Sequence, residues 1–261
     1  MFNPKVFVAE FIGTFALVFI GAGAGMVNAG IVAIALAHGF TLAVFVYAYG
    51  HISGTHINPA VTFALALNKT IRWGQALFYW IAQFAGAILA AWFLQFMAVK
   101  LGGTIQGGAT TGMLTESQPV LAMIVESILT FFLVNTILHT AVAGNGGRFA
   151  GWAIGTAYAL AILGSGALTG GSLNPARTLG PAIFVEPSYT NVYTYVIYVF
   201  GPLIGATFAV LVYNFLNDID EDLDELEEVE EIVVAVETEP VVEETPVKKT
   251  RKPAVRKTTK K

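Results

Sequence analysis

The sequence predicts an all-α membrane protein of six spanning helices and two half-helices, built from one unit used twice. Three observations predict it. The 261 residues are 55% hydrophobic and only 12% charged, about half the charge of a soluble domain, with a mean hydropathy of +0.66. Asn58-Pro59-Ala60 recurs 116 residues later as Asn174-Pro175-Ala176. Glu10 and Glu126, and Gly39 and Gly155, keep the same offset of 116.

The charges are segregated. Of 18 acidic residues, 14 lie from Asp218 onward, and eight of the 14 basic residues lie from Lys248 onward. The formal net charge of -4 therefore describes the tail and says little about partners. There is no cysteine, which excludes disulfide and thiolate chemistry and predicts immunity to mercurials. The apolar stretch after Lys5 belongs to the fold and is not read as a signal peptide, because it contains Glu10 and has a repeat partner near Val125–Val134.

Six segments reach the ~20 residues a span needs: about 5–27, 32–50, 74–98, 119–142, 149–168 and 190–216. Two shorter apolar pieces, about 59–67 and 175–184, each begin Asn-Pro. Asn favours the N-cap and Pro the first helical position, so each piece reads as a half-helix. Gly180-Pro181 predicts that the second is shorter or bent. Three spans separate the motifs, and an odd number inverts the second copy. The half-helices therefore enter from opposite faces and meet near the midplane. The repeats cover about 5–98 and 119–216, within a membrane domain of residues 1–216. Residues 217–261 are expected to form a disordered, charged, cytoplasmic tail.

Loop bases set the orientation. With both termini cytoplasmic, Lys5, Lys69, Arg72, Arg148 and the tail bases lie inside, and only Lys100 lies in an outer loop. The chain is thus expected to be a multi-pass integral membrane protein, with the cell membrane as its expected location. Glycines such as Gly21, Gly23 and Gly25 read as sites of close helix approach rather than a nucleotide loop.

Broken backbone at membrane depth is tolerated where it is packed in protein or lines a wet cavity, so the paired motifs point to a pore. Each Asn, capping its own half-helix, can hold its amide toward the lumen. A water accepting from both amides must point its hydrogens toward the two exits, which interrupts a proton relay. The positive ends of the half-helix dipoles oppose cations. Arg177, beside the second motif, reads as a functional intramembrane charge. Glu10 and Glu126 read as acceptors that brace the re-entrant loops. His51 and His56 read as bracing or pore-lining residues, and His139 as interfacial. No cofactor, metal or nucleic acid is called for, and no nucleophile–base pair suggests an enzyme.

At these residues the chain resembles the aquaporins of the major intrinsic protein family. The matching text is Ala-Glu-Phe-Ile-Gly-Thr-Phe at 9–15, Gly-His-Ile-Ser-Gly-Thr-His-Ile-Asn-Pro-Ala at 50–60 and Ser-Leu-Asn-Pro-Ala-Arg at 172–177. The resemblance implies a pore in each protomer of a homotetramer, and an outer filter of His38, Ile162, Gly171 and Arg177. That set resembles the filter of some plant vacuolar aquaporins associated with water and ammonia. Water plus small neutral solutes, ammonia first and urea or hydrogen peroxide next, are the expected permeants. Thr178 and Ala182 replace the aspartate and basic residue typical of glycerol channels. Val199 stands where water channels often carry tryptophan. A glycerol or small-solute facilitator, and a secondary transporter with broken helices, are the rival readings.

Overall fold

The computed structural model describes residues 2–186 and 188–217. The expected charged tail after residue 217 lies outside them. Along the chain run α1 (Pro4–Met26), α2 (Ile31–Ser53), the short α3 (Pro59–Leu67), α4 (Trp73–Lys100), a five-residue α5 (Met113–Ser117) and α6 (Pro119–Val142). They are followed by α7 (Ala150–Thr169), the short α8 (Pro175–Ala182) and α9 (Val192–Asn217). The described residues contain six helices long and apolar enough to cross a membrane, α1, α2, α4, α6, α7 and α9, and no strand.

Local chemistry explains the half-helices. The side chain of Asn58 accepts from the Ala60 amide at 2.9 Å, and that of Asn174 accepts from the amides of Ala176 and Arg177 at 3.0 and 3.2 Å. Pro follows each cap, where its missing N–H costs nothing. The second half-helix stops at Ala182, two residues before the apolar stretch ends. It runs beside α4, and a Cβ at Gly180 would fall 2.8 Å from the Ala87 carbonyl oxygen, so glycine is what allows this approach.

The two copies meet about a pseudo-twofold axis on which α2 and α7 cross. A Cβ on Gly39 would run into Gly155 O, and one on Gly155 would run into Gly39 O. Bare backbones therefore touch, as small residues allow between membrane helices. Gly155→Leu is expected to stop stable folding, since even modest overpacking costs about 1–3 kcal/mol. Loss of a monodisperse detergent-purified species checks this.

The repeat is in strict register through α8 and slips after it. Tyr79 donates to Ser53 O at 2.8 Å, and Tyr198 donates to Thr169 O at 2.7 Å. The acceptors keep the offset of 116, whereas the tyrosines are 119 apart. Gly86 lies against Phe11 and Phe15, and Gly205 against Ser127 and Phe131, again with 119 between the glycines. The cause is three extra residues between the start of α8 and the start of α9, compared with α3 and α4. Val199 thus corresponds to Trp80, whose ring N–H donates to Pro59 O at 3.1 Å. The second copy has no such bond from this position, because valine has no donor to offer.

Candidate functional site: the junction of the half-helices

The loops before α3 and α8 take the same unusual path. Gly54 and Gly170, Thr55 and Gly171, and Ile57 and Leu173 all have positive φ, at 80° and 87°, 51° and 55°, and 40° and 55°. For branched Ile57 this backbone region is a true outlier and costs on the order of 1–3 kcal/mol.

Buried carboxylates hold the strain. Glu10 Oε1 accepts from Ser53 Oγ at 2.7 Å and from the His56 amide at 2.9 Å. Its Oε2 accepts from the Ile57 amide at 2.7 Å and from Gln83 Nε2 at 2.8 Å. Glu126 repeats the pattern, accepting from Thr169 Oγ1, Ser172 N and Leu173 N at 2.7, 3.0 and 2.8 Å. Each donor to Glu126 lies 116 residues after its Glu10 counterpart. Pro202 occupies the place of Gln83 under the later offset of 119, and proline carries no side-chain donor.

The half-helix tips exchange hydrogen bonds. Asn58 Nδ2 donates to Leu173 O at 2.8 Å, and Asn174 Nδ2 donates to Ile57 O at 2.9 Å. Each amide thus caps its own helix and clasps the opposite loop. A primary amide has two N–H bonds, so one on each Asn is left for a ligand.

Both asparagines line a narrow cavity of about 40 Å³, whose wall includes the consecutive residues Gly54, Thr55, His56 and Ile57. That exceeds the ~10–15 Å³ that a cavity needs in order to hold a water. It opens into a vestibule of about 530 Å³ through shared walls that include Val46, His56 and Ile137. This vestibule lies at the face where α1 starts. His56 is 4% exposed. Its Nδ1 sits 3.1 Å from Thr62 Oγ1, and its ring lies 4.5 Å from that of Tyr79. His51 is exposed. His139 is half-buried against Tyr213, with ring centroids 5.0 Å apart.

Beyond the junction, toward the opposite face, the expected filter residues form two contacting pairs, Arg177 with His38 and Gly171 with Ile162. Arg177 Nε donates to His38 Nε2 at 3.2 Å. His38 Nδ1 lies 2.8 Å from Ile34 O, and both contacts are satisfied only with the ring proton on Nδ1. The His38 ring occupies space that a side chain at Gly21 would fill. A Cβ at Gly171 would lie 3.1 Å from Ile162 Cα, so Gly171 both permits the positive φ and leaves room beside Ile162.

Sequence reasoning missed Thr110, which is 1% exposed and lies between α4 and α5. Its hydroxyl accepts from Arg177 Nη1 and, at 3.0 Å, from Thr178 Oγ1. Thr178 Oγ1 in turn lies 2.5 Å from Ser172 Oγ. Nothing in the pattern around Thr110 signals this, because a single loop threonine has no repeat partner or motif. Gln83 was missed for the same reason. Ser53 and Thr169 were detectable, since they keep the offset of 116.

An inverted pair of capped half-helices, joined tip to tip at the end of a water-sized cavity among spanning helices, defines a membrane-channel architecture. The profile of the major intrinsic protein family matches residues 2–213. The chain is 41% identical over 229 residues to "Probable aquaporin TIP2-2" of Oryza sativa subsp. japonica, covering 81% of this chain and 87% of the rice protein. It is 40% identical over 236 residues to "Aquaporin AqpM" of Methanothermobacter thermautotrophicus, covering 80% of this chain and 96% of that protein. Its fold superposes on the crystal structure of the aquaglyceroporin from Plasmodium falciparum with a TM-score of 0.71 and 25% identity, over 84% of this chain and 99% of that one.

The chain belongs to the major intrinsic protein family, the aquaporins. It is therefore a multi-pass integral membrane protein of a channel family that passes water and small solutes through the membrane.

Proposed function

We propose that this aquaporin passes water together with small neutral polar solutes, ammonia first and urea or hydrogen peroxide next, while excluding protons and ions. The observation that carries this reading is the reciprocal clasp of Asn58 and Asn174. It fixes two amide planes and leaves one N–H on each to the lumen. A water oxygen accepting from both must turn its hydrogens outward, so a proton cannot hop across. The N-termini of α3 and α8 place two positive dipole ends at the same spot.

His38, Ile162, Gly171 and Arg177 form the filter in this reading, with one charged wall, one imidazole wall and one apolar wall. Thr110 is a positioning residue that holds Arg177 aside. Glu10 and Glu126 brace the loops and do not relay protons. The face where α1 starts is cytoplasmic, both termini are inside, and the cell membrane and a homotetrameric assembly complete the proposal. Residues 1–216 form the channel domain, with residues 217–261 as a separate cytoplasmic tail.

Stopped-flow measurements on proteoliposomes, comparing water, ammonia, urea, hydrogen peroxide and glycerol in one preparation, test the proposal. Water and ammonia fluxes above those of empty vesicles, with no added proton leak, are expected. Ammonia flux equal to that of empty vesicles would refute the ammonia assignment. The likeness to an aquaglyceroporin favours one alternative, a glycerol facilitator, and glycerol flux as fast as ammonia flux would establish it.

Thr110→Val removes the acceptor shared by Arg177 and Thr178. Urea flux is expected to rise by roughly tenfold for each 1.4 kcal/mol by which the barrier falls, with Arg177 in place but loosened. Solute fluxes identical to the unsubstituted protein would remove Thr110 from the filter.

A further inference from the structure

The internal repeat carries the four filter positions to a second set on the other side of the junction. Under the offset of 116, His38 corresponds to Ile154, Ile162 to Val46, Gly171 to Thr55 and Arg177 to Val61. All four counterparts line the narrow cavity that ends at Asn58 and Asn174. The pseudo-twofold exchange of hydrogen bonds at the tips makes this correspondence spatial as well as sequential.

The two rings differ in chemistry. The outer one offers Arg177 and His38. In the inner one Val46, Val61 and Ile154 offer no polar atom, and the Thr55 hydroxyl is engaged with Phe45 O at 3.1 Å. Polar groups reach this stretch along the loop that runs from Gly54 to Asn58, which includes the His56 ring, and beyond that loop from Asn174 and Tyr158. A solute with few hydrogen-bonding groups can be satisfied by one polar wall. One with polar groups around its whole rim must leave some unpaired while it passes, and unpaired buried polar groups are costly.

We propose that Val46, Thr55, Val61 and Ile154 form a second, apolar selectivity ring in series with the outer filter, which penalises polyols and ureas more than water or ammonia. The proposal rests on the channel reading above. Barriers in series make the higher one limiting, so opening the outer ring alone leaves the inner ring in control. Hydrophobic constrictions of this kind act by refusing to replace a solute's hydration.

The test compares ratios of urea and glycerol flux to water flux in proteoliposomes carrying Arg177→Val alone or with a second change. Val61→Thr puts a hydroxyl where a methyl group stood on a buried wall, and retained water flux shows that the variant is folded. Ile154→Ala and Val46→Ala widen the ring. The urea-to-water ratio is expected to rise about tenfold with Val61→Thr, a fall of about 1.4 kcal/mol in the relative barrier. The glycerol-to-water ratio is expected to rise with either alanine. Water flux retained with all ratios equal to those of Arg177→Val alone would overturn the ring and leave the channel reading standing. No excess water flux in the unsubstituted protein would overturn both.

Discussion

Glu10→Ala is expected to abolish folded, water-conducting protein. The carboxylate accepts four hydrogen bonds, two from the strained loop backbone and two from Ser53 and Gln83. A buried donor left without its partner costs about 1–3 kcal/mol, so four together exceed much of a typical domain's stability of ~5–15 kcal/mol. Glu10→Gln is expected to fail nearly as badly. Its amide nitrogen would face donors where Glu10 offers only acceptors. Thermal denaturation in detergent, followed with water flux in proteoliposomes, checks both. A variant that melts like the parent would show that the loop holds itself and that Glu10 is incidental. Glu126→Ala is expected to be milder by one bond, because three donors reach it.

Arg177→Val is expected to have the largest effect on selectivity. It removes the charge, the donor to His38 and the donor to Thr110 in one step. With the bulky cationic wall gone, urea and glycerol fluxes should rise by an order of magnitude or more per ~1.4–3 kcal/mol of lost barrier. Proton leak should appear as well, because the fixed charge that repels cations has been deleted. Arg177→Lys keeps the charge but not the planar fork. It should restore proton exclusion better than it restores solute exclusion. Equal solute and proton fluxes in Arg177→Val and the parent would mean that Arg177 stands outside the permeation path.

Much of this architecture is legible in the sequence because the same unit was used twice. A single Asn-Pro reads as an ordinary cap. Two in register with Glu10–Glu126 and Gly39–Gly155 predict the half-helices, their inversion and their bracing carboxylates. The legible part ends where the symmetry does. The three-residue insertion before α9 hides the pairing of Tyr79 with Tyr198, since a fixed offset sets Tyr79 against Tyr195. Gln83 has no polar counterpart, so periodicity cannot flag it. Thr110 belongs to neither copy. It reaches Arg177 because the loop after α4 folds over the loop before α8, where a Cβ at Gly170 would lie 2.7 Å from Thr111 N. That is a tertiary contact with no local signature.

In the proposed mechanism, permeating molecules pass in single file between the tips of α3 and α8. The chain has no cysteine, so one introduced thiol reports without background. Val61→Cys places it in the cavity beside Asn58. The decisive measurement is stopped-flow water permeability of Val61→Cys proteoliposomes before and after a mercurial, with the cysteine-free parent alongside. Block of the variant, reversed by a reducing thiol, with the parent unaffected, is the predicted result. Full water flux through fully labelled Val61→Cys would contradict the account, because water would then be crossing by some other route.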